Sequence, residues 1–475
     1  MPNLNITDGQ FRSALQNIQS RYIRLELLNF QYQTVDTLEG VCTSGSFTID
    51  ANSDIRRTGS VVLVVTDSSF EVASGGKIWL DKYIRAWVGT FSLYTGEIEW
   101  TNCGIYIIDA PSYRYDASTN TLTLSLLDLM AKLTGVRNGY LKGIPTILSA
   151  GENIRQAIID TLALGGFNKY VVEEAPAPGT IPNDLEFSQG ATIYDLLIAL
   201  RDIYPNYEIF FDTDGTFFYK PIPTGKGDPV LVDDTLWSNI TTSEQINVDF
   251  QNVKNSIEVY GRTHDPAHFS TKTMVSGSNI TLTIADVAKY TENMIYGFTL
   301  SNNPGYTNMT LQIGSLASLP ITLDDGTTNA TIEAESGEVY YCIQYKNTYW
   351  NWLGHLQAYG MAEDTNPDSP FYINGTVGTI RLPLYGGEYE NIFSDDLANQ
   401  RASYELWLRT NMNNTIQLTC VPVPWLDVNI LVSYTDMRNN ETNQYIIKSI
   451  TFGLAPNDNM TITMIRFYSE QSTIV

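Results

Sequence analysis

Histidine and cysteine are scarce in this chain, and long apolar runs are missing. There are 3 histidines and 4 cysteines in 475 residues. Cys42, Cys103, Cys342 and Cys420 stand far apart and none belongs to a C-x-x-C pair, which excludes the short-spaced zinc and redox motifs. They read as small apolar residues buried in strands. His264 and His268 are four apart, but Pro266 between them breaks the helical register that a metal pair needs, so the segment reads as a turn. No apolar run approaches the ~18 residues of a spanning helix. The start, MPNLNITDGQF, lacks the basic-then-apolar pattern of a secretory signal. Asn-x-Thr triplets such as Asn279-Ile280-Thr281 are therefore expected to be strand and turn chemistry rather than glycan sites.

Catalytic signatures are missing as well. No HExxH, GxSxG or phosphate loop occurs. DTDG at Asp212–Gly215 opens like a calcium loop but has no acidic residue at the last ligand position, which leaves a hairpin turn. The Asp pairs at 233–234, 324–325 and 395–396 read as solvated turns or helix caps. Basic patches are absent: 52 acidic residues against 28 basic ones give a net charge of −24, spread along the sequence. That excludes a nucleic-acid reader, and suits solubility or a wall that repels DNA. No cofactor, metal or catalytic residue is expected.

What is abundant favours strands. The chain has 29 Tyr and 8 Trp, with 43% hydrophobic residues, enough for packed cores in about three domains. After a possible short helix at Asp8–Ser20, strands dominate to about residue 124, with a hairpin turn at Ala117–Asn120 and a brief helix at Leu126–Gly135. Next, Ile154, Ile158 and Leu162 form a helical stripe closed by Gly165-Gly166. Thr192 with Asp195 opens a second helix striped by Leu196, Leu200 and Ile203. Asp214-Gly215 then turns a hairpin. Residues 224–229 read as a linker and 230–265 as strands. The stretch 266–372 is strand-rich with regular turns. Its aromatic patch (Tyr340, Tyr341, Tyr345, Tyr349, Trp350, Trp352) is either sandwich core or a sugar-stacking surface. A helix capped by Ser394 follows, with Ala398, Ala402 and Leu406 on one face, and two antiparallel strands close the chain.

Between them lies TCVPVPWLDVNILVSY (Thr419–Tyr434), expected as a strand. Pro422 and Pro424 lack the N–H and, two apart, silence the same edge. Trp425 adds an amphipathic ring. These three residues mark either a sheet edge protected from aggregation or a subunit contact.

Three stretches resemble the tail or baseplate hub proteins of bacteriophages and contractile injection systems, particularly those of phages from Gram-positive hosts. They are SGSFTIDANSDIRRTGSVVLVV (44–65), FSQGATIYDLLIALRDIYPNYEIFFDTDGTFFYKP (187–221), and DLANQRASYELWLRTNMNNTIQLTCVPVPWLDVNILVSY (396–434) with the strands after it. The resemblance implies a mainly β fold with α+β parts. Its units are two tail-tube-like β-barrels (1–138, and 225–265 with 373–475) and an α+β domain (139–224); the stretch 266–372, outside the resemblance, reads from its strands and turns as an inserted β-sandwich. It also implies a homotrimeric ring that joins a sixfold tail tube to a threefold tip, in a virion tail assembled in the bacterial cytoplasm. The partners implied are a tail-tube or distal tail protein, a tip, spike or fibre protein, and a tape-measure protein, with genomic DNA passing through the lumen. Pro422, Pro424 and Trp425 become subunit-interface candidates. The competing readings are a receptor- or glycan-binding adhesin, which a lack of repeats disfavours, and a cell-wall hydrolase.

Overall fold

The computed structural model describes residues 9, 13, 21–38, 42–65, 70–115, 120–143, 146–204, 206–223, 234–248, 250–301, 303–332, 334–335, 339–410, 414–455 and 457–467. The fold is mainly β. Seven strands come first: β1 (Arg21–Leu28), β2 (Thr34–Thr37), β3 (Cys42–Asp50), β4 (Arg57–Val64), β5 (Tyr83–Phe91), β6 (Ile98–Tyr115) and β7 (Asn120–Asp128). Alternate residues such as Val61 and Leu63, or Leu122, Leu124 and Leu126, point into one core, as the two-residue strand period requires. The hairpin of β6 and β7 runs to the pair Tyr115–Asn120; most of its expected turn lies outside the described residues. So does most of the expected helix at 8–20, of which Gly9 and Ser13 are helical. The helix expected from Leu126 is shorter than its pattern suggested. β7 continues to Asp128, and only Leu129–Lys132 form a 3-10 turn, capped by the Asp128 carboxylate on the Met130 amide at 2.8 Å.

The next unit contains β8 (Thr146–Leu148), α1 (Ile154–Leu164), β9 (Tyr170–Val172), β10 (Leu185–Phe187), α2 (Ile193–Arg201), β11 (Tyr207–Phe211) and β12 (Phe217–Pro221). Local chemistry fixes both helices. Asn153 caps α1 through the Gln156 amide. Thr192 and Asp195 exchange reciprocal bonds in a capping box at the start of α2. The stripe residues Ile154, Ile158, Leu162, Leu196 and Leu200 are all buried. At the hairpin tip, the Asp212 carboxylate accepts from the Asp214 and Thr216 amides at 2.9 and 2.7 Å, and Gly215 takes φ +71°.

A helix that the pattern did not reveal, α3 (Asp234–Ile240), leads into β13 (Thr241–Val248) and β14 (Ser256–Thr263). At seven residues it is too short for its period to show, yet Leu236, Trp237 and Ile240 are fully buried. Eight strands then form one sheet: β15 (His268–Phe269), β16 (Lys272–Ser276), β17 (Asn279–Thr283), β18 (Ile295–Leu300), β19 (Thr310–Ile313), β20 (Leu319–Thr322), β21 (Val339–Tyr345) and β22 (Trp350–His355). The following strand, β23 (Gln357–Glu363), leaves that sheet. It pairs antiparallel with β14, whose other edge pairs parallel with β24 (Arg381–Tyr385). Helix α4 (Asp395–Thr410) packs on these three strands through Ala398 and Ala402. The approach is close: a Cβ on Gly360 would sit 2.2 Å from the Ala398 carbonyl carbon and 2.3 Å from the Asn399 nitrogen.

The chain ends with β25 (Asn414–Cys420), β26 (Leu431–Thr435), β27 (Thr442–Gly453) and β28 (Met460–Phe467). These strands extend the first sheet. β27 pairs antiparallel with β3, matching Phe452 to Phe47 and Thr451 to Thr48, and a single twelve-stranded sheet runs from β13 to β2. Phe47 lies between Tyr106 and Phe452, at ring distances of 5.3 and 5.9 Å, so the two ends of the chain share one core.

The strand expected across Thr419–Tyr434 is corrected by the structure: β25 stops at Cys420 and no strand resumes before Leu431. The prolines do not silence one edge of a continuing strand; they end it. Val421 still donates to the Ile240 carbonyl at 3.0 Å, whereas Pro422 has no donor with which to extend the ladder. The Val421–Ile430 segment crosses the sheet instead, pushing Val421, Val423, Leu426, Val428 and Ile430 into the shared core.

Replacing Gly360 by valine should drive α4 off its sheet and cost about 1–3 kcal/mol, read as a lower urea midpoint. An unchanged midpoint would mean that the helix does not depend on this approach.

Candidate functional site

A buried polar cluster lies where the first strands, the α+β unit and the Val421–Ile430 crossover meet. Arg56 and Arg57 are consecutive and both buried. Arg56 pairs with Glu208 of β11, and its guanidinium lies 3.9 Å from the Phe210 ring centroid. Arg57 reaches Asp427 of the crossover at 2.5 Å and the Phe211 carbonyl at 2.5 Å, while its own amide donates to the Asp128 carboxylate at 2.9 Å. Glu208 also accepts from Asn429 at 2.6 Å and has the Lys220 ammonium at 3.4 Å. Lys448 of β27 closes the network on the Asn429 side-chain oxygen at 2.9 Å.

Burial works against every charge here, and the partners decide the outcome. For Arg57 the desolvation penalty is outweighed by Asp427, Tyr106, Asp128 and Asp212, and its pKa rises. Burial raises the Asp128 carboxyl despite two backbone amides, and lowers Lys448 despite Glu208. Nothing in this arrangement offers a nucleophile or an open position for a reacting atom. It clamps three segments together. None of these residues stood out in the sequence. The available signal was a charged residue, Glu208, inside the apolar run YEIFF, and paired arginines entering a strand.

Each histidine has different surroundings, although the His264 amide donates to the Leu356 carbonyl at 2.8 Å, next to His355. His264 is buried edge-on against Phe393 at 4.9 Å, both ring nitrogens are unbonded among the described residues, and burial pushes its imidazole down to about 4. His268 stacks on Tyr296. His355 bonds Asp395 through Nδ1 at 2.7 Å, which raises its pKa against the effect of burial. Asp395 also accepts from the His355 and Tyr359 amides, so this pair pins the start of α4 to the β22–β23 connection. Among the described residues no group of three or more His, Cys, Asp or Glu is placed to hold a metal. In the aromatic patch, Tyr341, Trp350 and Trp352 are core residues and Tyr340 is exposed. As for the interface candidates, Pro422 is buried within the chain, and Pro424 and Trp425 are half-buried beside the crossover core.

A family described as a domain of unknown function, DUF5048, matches residues 368–470, which take in β24, α4 and the four closing strands. No curated protein sequence matches the chain. Two solved structures share its fold over nearly their whole length. One is the 43 kDa tail protein of prophage MuSo2 from Shewanella oneidensis, with a TM-score of 0.54 and 12% identity over 94% of this chain and 98% of that one. The other is a tail protein from Neisseria meningitidis MC58, with a TM-score of 0.51 and 9% identity over 95% and 99%. The fold is thus one found in tail proteins.

Two outcomes follow from the buried charges. Glu208→Gln strands Arg56 without its counter-ion and should cost about 3–5 kcal/mol, seen as a lower urea midpoint; a change within error would show that the clamp adds nothing. For His264, a folded pKa below the usual ~6.5 means that the unfolded chain binds more protons as pH falls through that window. Stability is therefore lost from pH 6.5 down to about 4. His264→Phe should remove about 2–3 kcal/mol of the loss between pH 7 and 4.5, measured by urea titrations at both values.

Proposed function

We propose that this chain is a structural hub of a phage tail tip or baseplate: a homotrimeric ring that joins a sixfold tail tube to a threefold tip and surrounds the DNA channel, without catalysis of its own. The observation that carries the reading is the shared fold with two tail proteins over 94% and 95% of the chain. In this reading 1–138, and 225–265 with 373–475, act as two tube-like units, 139–224 is the α+β unit and 266–372 is the insert. The joined sheet supports it: two halves of one chain stand side by side, so three copies supply six.

Among the described residues, the outer edges of β2 and β13 are unpaired and are suited to meet neighbouring subunits. Phe30 and Leu93, on the β1–β2 and β5–β6 connections, and Phe250, just past β13, expose apolar side chains of the kind a contact would cover. Pro424 and Trp425 remain candidates for the same role, while Pro422 acts inside the subunit. A net charge of −24 suits a lumen through which DNA slides. The partners are a tail-tube or distal tail protein, a tip, spike or fibre protein and the tape-measure protein, within a virion assembled in the host cytoplasm. Assignment to phages of Gram-positive hosts rests on the three sequence stretches alone.

Light scattering on the purified chain should give the mass of three copies, and negative-stain averages should show threefold rings around a pore. An elongated trimer with no pore would sink the hub and favour an adhesin. A monomer that stays monomeric when tail-tube and tip partners are added would sink it too.

A further inference from the structure

A partly open cavity of about 470 Å³ separates the α+β unit, the eight-stranded sheet and α4. That volume suits a small organic ligand. Its walls are aromatic: Tyr204 and Tyr207 come from the α+β unit, Trp352 from β22, and Tyr404 and Trp407 from α4. They include two ring pairs, Tyr204–Tyr207 at 6.1 Å and Tyr404–Trp407 at 5.8 Å between centroids. Pro176, Pro178 and Pro182 supply a stiff apolar rim.

The charges in the lining are of one sign. Asp324, Asp325 and Asp396 line the cavity, and among the described residues no lysine, arginine or histidine does. Their hydrogen-bond partners are neutral. Asn351 donates to Asp324 at 2.9 Å, the Thr327 and Thr328 amides to Asp325 at 2.8 Å, and Gln400 to Asp396 at 2.9 Å. Burial holds the Asp324 and Asp396 carboxyls above their ordinary range, and Asp325 adds repulsion to both. Lys346 tempers Asp324, but its ammonium donates to the Asn293 side chain at 3.1 Å. Aromatic rings lining a cavity with three carboxylates and, among the described residues, no lining cation favour a rounded, weakly hydrated cation.

We infer that this cavity binds a small alkylammonium ion of trimethylammonium size, held against the Tyr204–Tyr207 and Tyr404–Trp407 rings beside Asp324, Asp325 and Asp396. The site is independent of the hub reading, because it lies wholly within one chain.

The test titrates the full chain with choline and with its neutral isostere 3,3-dimethylbutan-1-ol, read by tryptophan fluorescence and calorimetry at matched ionic strength. Choline should saturate and bind at least about tenfold more tightly than the isostere. Asp396→Asn, which keeps the shape and removes a charge, should erase most of that preference and leave isostere binding unchanged. Equal affinity for the two probes, or no saturation with choline, would overturn the inference, and both readings need only the unmodified protein. Choline binding unchanged in both Asp396→Asn and Tyr404→Leu would also overturn it, by placing the ligand elsewhere.

Discussion

A guanidinium group taken out of water must find its counter-charge where it lands, and this fold is arranged around two of them. Arg56 and Arg57 leave the same strand entry and reach different partners: Glu208 in the α+β hairpin for one, Asp427 in the crossover for the other. Arg56 needs the hairpin, and Arg57 needs both the hairpin carbonyl of Phe211 and the crossover, so the pair is satisfied only when all three segments arrive together. Ion pairs of this kind add little net stability compared with an apolar filling. They do penalise wrong arrangements, because a misplaced segment leaves a buried charge alone. The junction is thus better understood as setting the mutual position of parts whose apolar surfaces would otherwise tolerate several.

The apolar side of the same problem is solved by the crossover. Two prolines stop β25, and the freed segment turns a run of valines, leucine and isoleucine inward, under the sheet that β3 and β27 complete. The same ten residues thus fill the core and carry Asp427 and Asn429 to the arginines. Filling and clamping are coupled: a crossover displaced by loss of its apolar contacts would also withdraw two members of the ionic network.

Signals that act within a few residues were legible in the sequence. The Thr192–Asp195 capping box, the Asp214-Gly215 turn, the Ile154–Ile158–Leu162 stripe and the Ser394 cap each depend on neighbours three or four positions away, and each is present. Features decided by distant partners were not legible. Glu208 is ambiguous until Arg56 is placed beside it. At seven residues, about two turns, α3 is too short to show its period, and Thr419–Tyr434 keeps strand-like composition although its burial demands a crossover. β23 likewise follows β22 directly in sequence but answers to β14, with Gly360 making room for α4. The clusters around His264, His355 and the aromatic cavity draw on residues scattered over the whole chain, so no window of sequence contained them.

The pairing of β3 with β27 has a consequence in time. Thr48 and Thr451 meet across it although 403 residues separate them. A ribosome adding roughly 5–20 residues per second needs on the order of 20–80 s to cover that interval. For all of it that edge of β3 waits, with its hydrogen-bonding groups unspent and Phe47 covered on its Tyr106 side but not on the side that Phe452 will fill. The nascent chain therefore passes much of its synthesis as an incomplete sheet, and its solubility during that period falls to its negative charge and to whatever the cell holds against the open strand.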